Sequence, residues 1–319
     1  SISSPHAWRP GMYTAWLHHA NLSDVCAAAD AARQLSAKEW QSDSIAREWP
    51  FRALCQIKAG TYVPCALTGA ISQIATLPES LGDEVIVQTK YDGERIQIHA
   101  WTEETTQKMR IFSRGGNDST KTRHDLLQAL AEALPGNHVH SVVLDAEVLV
   151  YDEEIGCIEA FGLIQKSLCR HRHLMAKVFD IIELNGNDHS RTPLRQRLEL
   201  LRKTVREVEN RIELVSFETV AATDKASLTR LFTECVDTKQ EGLVLKGADT
   251  NYVPSSRKEW VKLKRDKIEG LNDTLTLALL GLRYKKDDSK GKPRGLCFGA
   301  LLNHEEMSRD GADPIFVYI

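Results

Sequence analysis

The sequence predicts an α+β protein that is built mainly on antiparallel strands and is followed by part of a small β-barrel. Three observations predict it. Segments with the two-residue period of strands outnumber helical segments, no glycine-rich phosphate loop follows any predicted strand, and alternating leucines return after Gly270. The missing loop argues against a doubly wound or P-loop fold.

Residues 1–60 are predicted to be helical and to form the end of a larger unit or a packing arm. Val25, Ala28 and Ala32 recur at helical spacing after Ser23, a residue type that caps helix N-termini. Four of the six tryptophans fall here, at positions 8, 16, 40 and 49. The segment is too short to be a self-sufficient domain.

Residues 61–268 are predicted to form the main α+β domain. Residues 95–100 alternate cleanly, with Ile96 and Ile98 on one face and Gln97 and His99 on the other. Predicted strands cover residues 85–90, 95–100, 110–113, 142–151, 176–184, 212–219, 243–246 and 260–264. Predicted helices cover residues 126–134, residues 227–236, and a segment opened by Thr192-Pro193 with Leu194, Leu198, Leu201, Val205 and Val208 on its buried face.

Residues 269–319 are predicted to begin a small β-barrel. Leu275, Leu277 and Leu279 alternate, a basic turn that contains glycine and proline follows, and residues 296–302 form a second strand. A segment of about 50 residues is short for a closed barrel, so we expect only part of one.

Composition excludes several classes of protein. The 319-residue chain is 42% hydrophobic and 27% charged, and no apolar run approaches the roughly 18 residues of a membrane-spanning helix, so we expect no membrane partner. Seven cysteines without a C-x-x-C pair argue against disulfides or a zinc site and favour a reducing, intracellular setting. The net charge is −3, but residues 257–267 and 283–294 each carry six basic and two acidic residues, which suits a polyanion.

Residues 90–95, K-Y-D-G-E-R, supply the first candidate for chemistry. Lys90 ends an apolar strand, Asp92-Gly93 makes a tight turn, and the chain returns as a strand that starts with Arg95. A lysine amine is protonated near neutral pH and becomes a nucleophile where burial or neighbouring cations remove that proton. Lys90 is therefore a candidate nucleophile with Arg95 as its neighbouring cation. An ordinary hairpin with charged ends is the alternative.

Charged residues interrupt apolar strands at further points. Asp145 and Glu147 share one strand face, where unpaired carboxylates are costly unless they meet a cation. Lys262 and Lys264 share a face of another strand and repel each other unless an anion, such as a triphosphate, lies between them. A solvated strand face is the alternative for the two lysines.

In this order the motifs resemble those of the covalent nucleotidyltransferases, and most closely the eukaryotic-type ATP-dependent DNA ligases. The motifs are K-Y-D-G-E-R at 90–95, F-S-R at 112–114, D-A-E at 145–147, V-F-D at 178–180, E-G-L-V-L-K at 241–246, and Y-V-P, R and W-V-K-L-K at 252–254, 257 and 260–264. The tryptophan-lysine strand is a ligase feature that messenger-RNA capping enzymes lack. The F-S-R and E-G elements lean toward the DNA ligase IV branch.

The resemblance implies the domain organisation. Residues 61–268 would be an ATP-grasp-like adenylation (nucleotidyltransferase) domain with antiparallel sheets. Residues 269–319 would be a partial OB-fold domain, and residues 1–60 the remnant of an N-terminal DNA-binding domain.

The resemblance also implies a role for each matching residue. Lys90 would attack the α-phosphate of ATP and carry AMP, which then moves to the 5′-phosphate of a nick and is displaced by the 3′-hydroxyl. The residues implied to bind ATP are Arg95, Arg114 and Glu147 at the ribose, Phe179 at the adenine, Lys246, Lys262 and Lys264 at the phosphates, and Glu241. Glu147 and Glu241 would also place Mg²⁺. The residues implied to contact DNA are Arg257, Lys258, Arg265 and Lys267.

Three departures from the family pattern matter. Ala146 replaces the glycine of D-G-E, so the backbone there must accept a Cβ. The helical domain that precedes the family's core is mostly absent, and the chain stops before the last basic motif, R-x-D-K, which orients the leaving pyrophosphate in the family. We therefore expect this chain alone to bind ATP but to adenylate itself slowly. Robust multiple-turnover nick sealing would contradict that expectation.

Two other interpretations stay open. One is a relative that joins or caps RNA, and the other is a catalytically silent, ligase-derived DNA-binding or scaffold protein. A heat-stable AMP adduct favours the ligase, whereas a GMP adduct favours capping. For the ligase we expect nicked or broken double-stranded DNA and a repair scaffold protein as partners, a nuclear location, and a part in DNA repair, recombination or replication.

Overall fold

The structure is a computed structural model that describes residues 57–74, 77–135, 138–159, 171–238, 240–265, 277–284, 295–301 and 315–318. The chain divides into two compact units, Ser1–Arg265 and Asp266–Ile319. Nearly all of the predicted helical segment 1–60 lies outside the described residues, and so does Lys267. The boundaries of the three predicted domains remain predictions.

Strands dominate the described residues. The strands are β1 (Gly69–Ile71), β2 (Glu84–Lys90), β3 (Glu94–Glu103), β4 (Thr106–Ser113), β5 (Ser141–Asp152), β6 (Cys157–Ile158), β7 (Arg172–Leu184), β8 (Asn187–Asp188), β9 (Ile212–Leu214), β10 (Phe217–Ala221), β11 (Gly242–Gly247), β12 (Trp260–Lys264), β13 (Leu277–Arg283), β14 (Gly295–Leu301) and β15 (Phe316–Tyr318). The α-helices are α1 (Leu127–Ala133), α2 (Leu194–Thr204) and α3 (Lys225–Asp237), and short 3-10 helices lie at Glu79–Leu81 and Thr120–Leu126.

The first sheet of the larger unit has five strands in the order β1-β12-β11-β2-β10. Its neighbours are antiparallel, except for β1, which is parallel to β12. The register places Gly242 of β11 opposite both Lys90 of β2 and Lys264 of β12. Two lysines that are distant in sequence therefore lie at one end of this sheet, on either side of Gly242.

The second sheet runs β4-β3-β5-β7-β8, with β6 paired to β5 and β9 to β7. Arg95 of β3 lies opposite Glu147 of β5. Ile96 and Ile98 point into the main hydrophobic core, which also takes in Leu130 of α1 and Leu198 of α2. The predicted alternation of β3 therefore places its apolar face correctly.

Residues 57–68, named the strap, contain no helix or strand and lie against the other face of β3. The Gln97 side chain accepts the N–H of Val63 at 2.9 Å and donates to the Val63 carbonyl at 3.1 Å. His99 Nδ1 accepts the N–H of Gly60 at 3.1 Å, so its Nε2–H donates to Gln97 Oε1 at 2.8 Å. The polar face of β3 is thus buried, because its side chains bond the backbone of the strap.

Acid is expected to loosen the strap. Burial, with a smaller contribution from Arg110, lowers the pKa of His99 to about 3. The unfolded chain takes up a proton near pH 6.5 and the folded chain does not, so His99 makes the free energy of unfolding fall as the pH drops from about 6.5 towards 3. We expect His99→Asn to reduce this pH slope by up to about 1.4 kcal/mol per pH unit.

Urea unfolding at pH 7, 6, 5 and 4.5 measures that slope. The exposed His124 supplies the matched control, and His124→Asn should keep the wild-type slope. Equal slopes in His99→Asn and the wild type would contradict the prediction.

Helix α2 is shorter than its apolar pattern predicts. It ends at Thr204, and Val205 has extended backbone angles, φ −97° and ψ 122°. Val205 is nevertheless buried, and Val208 packs against the same core. The apolar residues therefore continue beyond the end of the helix, because the extended chain after Thr204 still packs against the core.

The predicted strand at residues 212–219 is two strands in two sheets. β9 is parallel to β7 in the second sheet, whereas β10 is antiparallel to β2 in the first. The chain changes sheets at Val215-Ser216, which belong to neither strand. An apolar pattern cannot reveal such a change, because both halves are half-buried strands.

The smaller unit shows one antiparallel sheet in its described residues, in the order β13-β14-β15. β13 and β14 overlap the two strands that the sequence predicts there. The register between them shifts between Leu279 and Gly281. None of the described helices is long and apolar enough to cross a membrane.

Candidate active site

The larger unit contains a cleft of about 540 Å³ whose walls come from both sheets and from the strap. Every residue that the sequence analysis assigns to the nucleotide lines it: Lys90, Arg95, Arg114, Glu147, Phe179, Glu241, Lys246, Lys262 and Lys264. These nine residues come from six strands and from the residues that adjoin strand ends.

Glu241 bridges two lysines at one end of the cleft. Its Oε2 pairs with Lys90 Nζ, and its Oε1 pairs with Lys264 Nζ at 2.5 Å. Both pairs are mostly buried, with exposed side-chain fractions of 22% for Lys90 and 16% for Glu241. The candidate nucleophile is therefore paired with a carboxylate, and Arg95 as its neighbouring cation stays a prediction.

Two glycines allow this close packing. A Cβ at Gly242, whose φ is +154°, would lie 2.1 Å from the Leu263 carbonyl oxygen. A Cβ at Gly93 would lie 2.4 Å from the Val148 carbonyl oxygen. The glycines of K-Y-D-G and E-G are thus required because the backbones approach too closely for a side chain.

Lys262 adds positive charge beside this bridge. Partial burial and the charges of Lys264 and Lys90 lower its pKa. Three ammonium groups against one bridging carboxylate leave this end of the cleft positive. Such a cluster is favourable where an anion with several charges binds.

Arg95 is paired with Asp145. Its Nε and Nη2 bond the Asp145 carboxylate at 3.1 and 2.7 Å. Burial is the largest single influence and opposes its charge, but Asp145, together with Cys65 and Tyr252, outweighs burial and raises the pKa of Arg95. Its guanidinium lies 5.3 Å from the ring centre of Phe179 and 5.4 Å from that of Trp260. Asp145 thus meets the cation that a buried carboxylate requires.

A second buried pair supports Phe179. The neighbouring Asp180 bonds Arg197 of α2 through both carboxylate oxygens, at 2.8 and 2.9 Å, and both side chains are 0% exposed. Arg197 also donates to the carbonyl of Thr192 at 2.6 Å. The strand that carries Phe179 is therefore locked to α2.

Lys246 is buried beside two aromatic rings. Its Nζ lies 4.1 Å from the ring centre of Trp260 and 4.4 Å from that of Phe179. It has no hydrogen-bond partner among the described residues. Burial lowers the pKa of Lys246 to about 7. The carboxylates of Asp180 and Asp145 favour its charge, and the two ring faces lie within cation–π distance.

Removing this amine is expected to stabilise the fold. The unfolded chain holds the Lys246 proton up to about pH 10.4. The buried amine therefore lowers the free energy of unfolding most below about pH 7, and this penalty fades as the pH rises from about 7 to 10.4. We expect Lys246→Met to raise that free energy by about 1–3 kcal/mol at pH 7.5, and by less at pH 9.5.

Urea unfolding at both pH values checks the prediction. The exposed Lys225 is the control, and Lys225→Met should change stability little. A Lys246→Met protein that is less stable than the wild type at pH 7.5 would contradict the claim that the buried Lys246 amine destabilises the fold.

Glu147 lies on β5 near Glu241. Burial raises the pKa of Glu147 to about 7, Lys90 and Arg95 oppose the shift, and Glu241 adds to it. Two carboxylates close enough to repel, beside a cluster that suits phosphates, fit a hard divalent cation that keeps several waters. Among the described residues no group of three or more histidine, cysteine or acidic side chains forms a metal cage.

Ala146 lies where the register between β5 and β7 shifts, between Asp145 and Ala146. It lies opposite Ile96 of β3 and Val178 of β7, and its side chain is buried in the main core. The methyl group replaces the hydrogen of a glycine at a strand position that any residue can adopt. The departure from D-G-E therefore leaves Asp145 and Glu147 on one face.

Of the described residues predicted to contact DNA, one lines the cleft. Arg257 lines the cleft and donates to the Thr68 carbonyl at 3.1 Å. Lys258 is exposed, Arg265 is half-buried, and neither lines the cleft. Lys267 lies outside the described residues.

Gln88 and Trp260 line the cleft but were not assigned a role from the sequence. Both are buried, and Gln88 Nε2 and Trp260 Nε1 have no hydrogen-bond partner among the described residues. Gln88 could have been found, because the two-residue period of β2 places it on the same face as Lys90.

Comparisons with known proteins match most of the larger unit. The family model described as ATP dependent DNA ligase domain matches residues 66–264. A DNA ligase from Thermoplasma volcanium is 30% identical over 248 residues, which are 74% of this chain and 40% of that protein. DNA ligase 4 from Candida glabrata is 30% identical over 253 residues, which are 75% of this chain and 25% of that protein. This chain thus spans well under half of either relative.

A solved structure shares the fold. The mycobacterial DNA ligase D complexed with ATP and MES is 23% identical, has a TM-score of 0.50, and is matched over 74% of this chain and 67% of that chain. This likeness confirms the predicted fold class. The archaeal relative and the DNA ligase 4 relative have the same identity, so similarity alone does not single out one branch.

Proposed function

We propose, from the premise that this chain belongs to the ATP-dependent DNA ligase family, that Lys90 forms a covalent bond to AMP and that the AMP is then passed to a DNA 5′-phosphate. The observation that carries the proposal is the Glu241 bridge between Lys90 and Lys264 within a cleft lined by every implied nucleotide residue. The Lys90 amine, held by Glu241, lies beside Lys262 and Lys264, whose positive charges suit a triphosphate.

The first step is a displacement at the α-phosphorus of ATP. A neutral Lys90 Nζ attacks, the nitrogen–phosphorus bond forms, and the bond to the β-phosphate oxygen breaks with release of pyrophosphate. The proton that the nitrogen loses passes to solvent or to a neighbouring carboxylate. Glu241 positions the amine before the step, and Lys262 and Lys264 stabilise the charge on the phosphates.

The remaining residues hold the nucleoside. We propose that adenine stacks on Phe179 and that Arg95, Arg114 and Glu147 lie on the ribose side. Lys246 is buried against Phe179 and Trp260, so we propose that it acts from beneath the base and not at the phosphates. This revises the role that the resemblance alone implies.

Mg²⁺ is the proposed metal, and Glu147 and Glu241 would hold it. The bound ion would supply charge neutralisation at the phosphates. Glu147, whose pKa burial raises to about 7, must lose its proton to act as a ligand.

The second and third steps use DNA. We propose that a nick or break in double-stranded DNA is the substrate, that its 5′-phosphate oxygen takes the AMP from Lys90, and that its 3′-hydroxyl then displaces the AMP. Arg257, Lys258, Arg265 and Lys267 are the proposed phosphate contacts. Action in the nucleus in DNA repair, recombination or replication, with a scaffold protein, belongs to this proposal.

Labelling tests the proposal. The chain is incubated with Mg²⁺ and ATP labelled at the α- or the γ-phosphate, and is then denatured by heat. We expect a label on the protein from α-labelled ATP alone, and its release by acid, because a nitrogen–phosphorus bond is acid-labile. Nicked DNA with a 5′-phosphate should then take up the label. A label from GTP would support a capping enzyme, and transfer to RNA ends alone would support an RNA ligase.

A further inference from the structure

The three arginines that line the cleft share a feature that the proposed mechanism leaves unused. The strap, which comes before all of them in sequence, contacts each one. Its carbonyl groups and one of its side chains bond the arginines themselves.

Arg95 is bonded to the strap through Ala66. Its Nη1 donates to the Ala66 carbonyl at 2.5 Å. The Tyr252 hydroxyl donates to Asp145 Oδ2 at 2.7 Å and accepts the Ala66 N–H at 3.1 Å. Tyr252 therefore binds both partners of Arg95, and its ring packs against Trp260 with 5.7 Å between ring centres.

Arg114 is held through its backbone by Tyr62. The Tyr62 hydroxyl donates to the Arg114 carbonyl at 2.6 Å. Its ring lies 5.8 Å from that of Phe112 and fills the space beside Gly116, where a Cβ would lie 2.8 Å from the ring. The turn that carries the exposed Arg114 side chain into the cleft is thus fixed from the strap.

Arg257 completes the set. Its Nη1 donates to the Thr68 carbonyl at 3.1 Å, one residue before β1 begins. The Leu67 N–H bonds the Ser256 carbonyl at 2.7 Å, so the strap also fixes the backbone beside this arginine.

We propose that the strap positions the cleft arginines for the nucleotide, and that the hydroxyls of Tyr62 and Tyr252 are positioning groups for Arg114 and Arg95. This inference rests on the proposed function, since it assigns the arginines to the bound nucleotide. Neither hydroxyl touches the nucleotide. Tyr252 holds the two partners of the Arg95 guanidinium, and Tyr62 fixes the backbone turn from which the Arg114 side chain extends. Both hydroxyls therefore order an arginine before binding, which lowers the ordering entropy that binding costs.

The test measures the affinity of the full chain for α,β-methylene-ATP by calorimetry. The bridge between the α- and β-phosphorus of this probe cannot break, so binding is measured without chemistry. We expect Tyr62→Phe to weaken binding about fivefold and Tyr252→Phe about tenfold, because each loses hydrogen bonds that order an arginine. Tyr151, whose ring lies beside His173 and outside the cleft, is the control, and Tyr151→Phe should bind as the wild type does.

A double-mutant cycle separates positioning from a general effect on the fold. Arg114→Ala removes the exposed side chain and keeps the carbonyl that Tyr62 binds. In this background we expect Tyr62→Phe to change the affinity less than about twofold, and Tyr252→Phe to keep its full effect. Thermal melts check that every variant is folded at the assay temperature.

The outcomes are distinct. Equal losses from Tyr62→Phe with and without Arg114, or unchanged affinity in either single tyrosine variant, would overturn the inference. A wild-type chain that binds the probe but forms no adduct with ATP would overturn the proposed function and leave the inference in place. A wild-type chain that does not bind the probe would overturn both.

Discussion

Replacing Lys90 is expected to abolish the protein–AMP adduct, with a loss of at least about a thousandfold in the rate of labelling. Alanine removes the attacking nitrogen. Arginine keeps a positive charge near Glu241 but stays protonated, so it cannot attack phosphorus. Lys90→Ala and Lys90→Arg should therefore lose labelling to the same extent. Equal loss would show that Lys90 acts as a nucleophile and not only as a positive charge.

The measurement is the labelling rate with α-labelled ATP under saturating nucleotide. Lys203 is a matched control, since it is an exposed lysine on α2, and Lys203→Ala should label as the wild type does. A label of wild-type strength on Lys90→Arg would show that another residue carries the AMP.

Glu241→Gln is expected to have the second-largest effect. The amide keeps the shape of the side chain but removes the negative charge that holds Lys90 and Lys264 together. We expect the labelling rate at saturating ATP to fall about a hundredfold. The reason is that the Lys90 amine and the proposed Mg²⁺ both lose the carboxylate that positions them.

Binding should respond in the opposite direction. With one carboxylate neutralised, the cleft becomes more positive, so affinity for metal-free α,β-methylene-ATP should stay equal or increase. The exposed Glu199 on α2 supplies the control, and Glu199→Gln should change neither quantity. A Glu241→Gln chain that labels at the wild-type rate would remove Glu241 from the mechanism.

Much of the fold was predictable because period and turn chemistry are local. The alternation of residues 95–100 and the Asp92-Gly93 turn placed β2 and β3 correctly. The exchange of sheets at Val215-Ser216 was not predictable, because it depends on which distant strand each half joins.

The sequence predicted which residues line the site, but it did not predict which of them pair with each other. A carboxylate in an apolar strand indicates that a cation lies nearby, and Asp145 and Asp180 both have one. Sequence alone does not reveal that the partners are Arg95 and Arg197, since that depends on the register of β3 and the docking of α2. The strap was missed altogether, because its backbone bonds to Gln97 and His99 leave no periodic pattern.

The bridging carboxylate also makes the cleft sensitive to its own covalent state. Once the nitrogen of Lys90 is joined to phosphorus it is no longer an ammonium, so Glu241 keeps Lys264 as its partner and faces a new negative group. Loaded and unloaded chains would therefore present different electrostatic surfaces to an approaching strand end. On the proposed mechanism, this end of the cleft is therefore less positive in the loaded chain than in the unloaded one.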